Sequence, residues 1–159
     1  MRIRTRRAKG GLAFAAVLLS SAGLSLATAG PASAAYSGKW AAYGNTNPIT
    51  SSPSTWKCAT SKEITADVIA QVCAIKSVSG TARQGAVIVR NNKSSLYSLS
   101  AGVGLNDSAH DLLDFWACEP SGVRANSWSV CFGETIGYSG WVDAWGDAAG
   151  KDLGLSPDV

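Results

Sequence analysis

Gln84-Gly-Ala-Val-Ile-Val-Arg90, then Asn91-Asn-Lys-Ser-Ser95, then Leu96-Tyr-Ser-Leu-Ser-Ala-Gly-Val103 is the stretch on which the fold turns. Two extended, β-branched or alternating runs flank a polar spacer, and the pattern predicts a hairpin with a loop of about five residues. On the C-terminal side, Asn106-Asp-Ser-Ala-His-Asp111 is a polar loop. Leu112 to Cys118 follows as an apolar, aromatic strand ending at Glu119-Pro-Ser-Gly122. A second hairpin is expected there, returning through Ser127-Trp-Ser-Val-Cys-Phe132. Gly140-Trp-Val-Asp-Ala-Trp-Gly146 closes the regular pattern.

On the N-terminal side, Ile64 to Ser77 carries two signals. Ile64, Val68, Val72 and Ile75 fit a helical stripe, while the β-branched residues crowding the same stretch fit a strand. Its length and its β neighbours favour a strand over Val68–Val78, with the helix as the alternative. Residues 35–55 are rich in Ser, Thr, Asn, Gly and Pro and read as a flexible lead-in, tacked down by Tyr36, Trp40 and Tyr43. Residues 151–159 read as a fraying tail. The expectation is one all-β domain over 56–150, a small antiparallel β-sandwich or barrel of five to seven strands.

Four cysteines, Cys58, Cys73, Cys118 and Cys131, staple it. The even count argues for disulfides, and of three possible connectivities the local one, Cys58–Cys73 with Cys118–Cys131, is favoured because each pair closes a short loop between segments read as neighbouring strands. No Cys-x-x-Cys occurs, which argues against zinc.

The first 34 residues carry the three parts of an export signal. Five basic residues lie within Met1–Lys9, an apolar run extends from Leu12 to Ala27, and Pro31-Ala-Ser-Ala34 forms a small-x-small end. The apolar run is too short and too diluted by serine and glycine for a stable membrane anchor. Removing this segment takes five of the 14 basic residues and none of the 11 acids, so the remaining domain carries nine against eleven, a net charge of −2. Its basic residues are scattered singly, which leaves nucleic-acid binding unsupported.

No catalytic signature stands out. His110, beside Asp111 and near Asp114, resembles part of a hydrolase triad, but no Gly-x-Ser-x-Gly elbow accompanies it. Glu119 and Glu134 are a carboxylate pair of the kind that glycoside cleavage uses, and any chain with eleven acids yields such pairs. The oxygen-rich 106–111 loop suits calcium as well as it suits a turn, without EF-hand spacing. No cofactor or metal is expected.

The six tryptophans are the unusual feature. Trp116 and Trp128 adjoin cysteines and are expected in the core. Trp141 and Trp145 share a strand face with Asp143 between them, and with Trp40 in the lead-in they are the candidate binding residues, since rings on an exposed sheet face stack on sugars or peptides.

Cys73-Ala-Ile, Gln84-Gly-Ala-Val-Ile-Val-Arg-Asn-Asn92, Val130-Cys-Phe-Gly133 and Val142-x-Ala144-x-Gly146 together resemble small, uncharacterised secreted β-domain proteins of actinomycetes. The resemblance covers about residues 56–150. It implies a secreted two-disulfide β-domain and assigns no functional residue. The expected role is a secreted, non-enzymatic module binding an extracellular glycan or protein. The alternatives are a protease inhibitor presenting Arg83, Arg90 or Lys93, and a structural protein of the cell surface or spore coat.

Overall fold

Ala86, Val87, Ile88 and Val89 are all buried within one strand, which is therefore covered on both faces. The computed structural model describes residues 35–159, and among them every regular element is a strand. The expected export signal, residues 1–34, lies outside the described residues.

Two sheets form a sandwich. One orders β2 (Lys39–Gly44), β9 (Ser127–Phe132), β6 (Ala82–Asn91), β5 (Val68–Lys76) and β3 (Thr55–Cys58) side by side. It is extended by β4 (Lys62–Thr65) on β5 and β10 (Ile136–Gly137) on β6. The other orders β1 (Tyr36–Ser37), β8 (Leu112–Val123), β7 (Tyr97–Asp107), β11 (Val142–Ala148) and β12 (Lys151–Leu155). All pairings are antiparallel except β1 with β8.

The main core lies between the sheets. Val68, Val72, Val87 and Val89 from the seven-stranded sheet meet Leu99, Val103, Leu105, Trp116 and Val142 from the other. A second cluster covers the outer face of the seven-stranded sheet, where Ile75, Ile88 and Val130 lie under Tyr43, Ile49, Trp56 and Phe132. That second layer explains the consecutive apolar residues at 72–75 in β5 and 86–89 in β6. It also resolves the ambiguity over Ile64 to Ser77: Ile64 lies in β4, and β5 is a strand buried on both faces over residues 72–75.

Several expectations are corrected. The 84–103 stretch is not a hairpin: β6 pairs β5 and β9, whereas β7 pairs β8 and β11 in the opposite sheet. The spacer therefore crosses between layers. Its hinge is the buried Asn91, whose Nδ2 donates to the carbonyls of Ser95, Val123 and Arg124 while its Oδ1 accepts from the N–H of Lys93. Likewise β8 and β9 lie in different sheets, so they form no hairpin either. The actual tight turns join β4 to β5, β5 to β6, β7 to β8, and β11 to β12. In the last of these Ala149 and Gly150 both take positive φ, the two-residue form that matches strand twist.

The lead-in is corrected as well. Residues 36–44 supply β1 and β2, one to each sheet, and the chain changes layer at Gly38. A Cβ there would lie 2.7 Å from the Cys118 sulfur, so only glycine passes. The turn over 47–52 carries Ile49 onto the outer apolar cluster and buries Pro48. The tail does not fray: β12 pairs β11, Leu153 is buried, and Ser156 and Val159 bond the backbone of Ala144 and Val142. The sandwich thus spans 36–155, not 56–150.

Both disulfides have the expected partners. Cys58–Cys73 joins directly opposite residues of β3 and β5. Cys118–Cys131 joins β8 to β9, so it ties the two sheets together rather than neighbouring strands.

Candidate functional site

The outer face of the five-stranded sheet follows from the two-residue period of β7. Leu99, Ala101, Val103 and Leu105 point into the core, which turns Gly102 and Gly104 outward. Register places Phe115, Gly104, Trp145 and Leu155 in one row across β8, β7, β11 and β12. With no side chain on Gly104, the flanking rings lean together over bare backbone. Phe115 and Trp145 stack with centroids 5.2 Å apart and planes 10° from parallel. A Cβ on Gly104 would come within 2.4 Å of Trp145 Nε1. The stack is thus seated on glycine, the cross-strand pairing by which aromatic rings cover a strand glycine. Trp145 remains 37% exposed and Leu155 50%.

The next row holds Ala117, Gly102, Asp147 and Asp152. Asp147 lies against Gly102, and Asp152 is exposed. On the other side of the rings, Asp143 projects from β11 yet is buried. Its Oδ1 accepts from Asn106 Nδ2 at 2.8 Å, and its Oδ2 accepts from His110 Nδ1 at 3.0 Å. His110 has φ 63°, in the left-handed region, at the end of a turn in which Asp107 Oδ1 accepts from the N–H groups of Ala109 and Asp111. The carboxylate that holds His110 is therefore Asp143, across the sheet, and not its sequence neighbour Asp111. The 106–111 oxygens serve the turn, and among the described residues no His, Cys, Asp and Glu cluster has metal-binding geometry. No serine hydroxyl bonds the His110 ring among the described residues, so the arrangement orients a histidine without a partnered nucleophile.

The candidate tryptophans separate. Trp145 lies on the face just described. Trp141 precedes β11, is 62% exposed, and sits under the Lys76 ammonium at 5.6 Å. The two do not form one surface. Trp40 is half-buried on β2, packs against the main core, and donates from Nε1 to the Glu119 carbonyl, so it fastens β2 to β8. Trp116 is fully buried, as expected, while Trp128 lies at the outer cluster with the Arg90 guanidinium 5.4 Å from its ring.

The residues proposed for presentation to a protease are held down. Arg83 is buried, Arg90 bonds Asn92, Asn45 and the Asn126 carbonyl, and Lys93 lies over Tyr97. A hollow of about 520 Å³ lies among Ser37, Lys39, Gln84, Phe132 and Glu134. Gln84 already donates to the Gly133 carbonyl there.

Missing from the sequence reading was Phe115, the partner that fixes Trp145. Its signal was present: a Gly-x-Gly at 102–104 on a strand otherwise facing the core marks outward positions that a neighbouring ring covers. Compared with known proteins, the chain matches no family model and no curated protein.

Proposed function

We propose that this is a secreted, non-enzymatic binding module whose ligand is an uncharged extracellular saccharide, held on the outer face of the five-stranded sheet. The observation that carries the reading is the half-exposed Trp145, stacked on Phe115 and seated over Gly104. A sugar ring offers an apolar C–H face to such an indole and hydroxyl donors at its edge. Asp147 and Asp152, in the adjacent row, are placed to accept them. Because the indole is already locked by its neighbours, little side-chain entropy is lost on binding. The basic, apolar, small-residue order of residues 1–34 and the two disulfides support export to an oxidising compartment.

The test is co-sedimentation of the purified, disulfide-oxidised protein with cellulose, chitin and peptidoglycan. The proposal expects saturable retention on at least one polymer, weakened about tenfold by Trp145→Ala, a loss of about 1.4 kcal/mol. Retention on none of them, or retention indifferent to Trp145→Ala, overturns it.

A further inference from the structure

Arg83 is 4% exposed. Its Nη1 donates to the carbonyls of Gly80 and Ala82, its Nη2 donates to the carbonyl of Ser139, and its buried Nε has no partner. Among the described residues no acid lies within 4.0 Å of it or of Lys76; the ion pairs are Lys62 with Asp152 and His110 with Asp143. A buried guanidinium held only by carbonyl dipoles is costly, because a buried charge is ordinarily both hydrogen-bonded and paired with an opposite charge.

A hollow of about 300 Å³ opens beside this group, lined by Lys76, Gly80, Arg83, Ser139, Trp141 and Val159. Both charged side chains in that lining are cations. The carbonyl bonds hold the guanidinium in place and occupy three of its five N–H groups, which leaves the Nε and second Nη2 N–H edge uncommitted, an edge that suits an oxyanion. The volume lies at the lower end of the range for small-molecule sites. Trp141 stands at the rim with its ring largely free, and the Lys76 ammonium lies over one face.

We propose that this hollow binds an oxyanion group, a carboxylate, sulfate or phosphate, paired with Lys76 and Arg83, with Trp141 covering whatever carries it. The site is separate from the Trp145 face and does not depend on it. The shared oxyanion chemistry has two sources, a free inorganic ion or an acidic sugar, and the titration separates them.

The experiment titrates the oxidised protein with sodium sulfate, sodium phosphate and sodium glucuronate at constant ionic strength against sodium chloride, read by tryptophan emission and by melting temperature. The expected result is a saturable emission change with at least one oxyanion, and a rise in melting temperature with its concentration. Lys76→Ala is expected to weaken the apparent affinity at least tenfold, and Trp141→Ala to abolish the emission change. Glucuronate binding more tightly than either inorganic ion assigns the acidic sugar; the reverse assigns a free ion. Sulfate also stabilises proteins by exclusion from their surface, so a melting shift that Lys76→Ala retains in full overturns the proposal. So does an emission response no different from chloride. Arg83→Met removes the buried charge, and Lys76→Ala keeps the test decisive if that variant fails to fold. Retention on polymers reads the Trp145 face, whereas the sulfate and phosphate titrations with Lys76→Ala read this hollow, so failure here and failure of the saccharide reading are distinguishable.

Discussion

Gly104→Ala puts a methyl group where the structure has an indole. The added Cβ would lie 2.4 Å from Trp145 Nε1, 2.5 Å from Cε2 and 2.8 Å from Cζ2. Carbon contacts are optimal at about 3.5–4.0 Å, so the ring must lift by about 1 Å or swing aside. Either movement disrupts the 5.2 Å stack on Phe115. Overpacking of this kind costs about 1–3 kcal/mol; at about 2 kcal/mol, and about 4 °C per kcal/mol for a domain of this size, the melting temperature should fall by about 8 °C. A double-mutant cycle isolates the cause. With Trp145→Ala already present, the three atoms nearest that added Cβ are gone. The Gly104 φ is not left-handed, so the same methyl should then be neutral or stabilise by up to about 1 kcal/mol through the unfolded chain. Thermal unfolding followed by circular dichroism on the four proteins measures it. An equal loss in both backgrounds would refute the seating of Trp145 on Gly104.

Gly133→Ala should be harsher, since its Cβ would meet the wholly buried Trp116 at 2.4 Å, and a melting scan should show a loss of about 3 kcal/mol or no folded protein. Asn91→Asp should destabilise more than Asn91→Ala in urea titrations, because it turns a carboxylate toward three carbonyls, whereas alanine leaves them unpaired at about 1–3 kcal/mol. Paired Cys-to-Ala removal of either disulfide should cost about 3 kcal/mol on loop closure, given separations of 15 and 13 residues; a loss below about 1 kcal/mol for either would contradict that estimate.

The fold class and both disulfides were legible because they rest on local chemistry: β-branched runs, turn residues and short cysteine loops. Strand partners were not, because a five-residue spacer serves a hairpin and a crossover equally well. The discriminating signal lay in the faces. Outward residues of β6 are Ala86 and Ile88, whereas those of β7 are serines and glycines, and strands adjacent in one sheet share the cover of their outer face. Polar composition likewise misled at both ends. Residues 36–44 and 151–155 gain their order from pairing to β8, β9 and β11, which no local propensity encodes. Trp145 was legible as a surface ring, but its separation from Trp141 was not. Equal strand parity implies a common face only while both residues lie in the strand, and Trp141 precedes it.

Trp145 is the ring we propose to meet a saccharide. The six tryptophans allow a direct test through their indole N–H signals in proton–nitrogen correlation spectra, titrated with cello- and chito-oligosaccharides. A saturable shift is expected at Trp145, while the signals of Trp116 and Trp56, whose Nε1 atoms are buried, stay in place. No shift at Trp145 with either ligand, or a shift confined to Trp141, would contradict it.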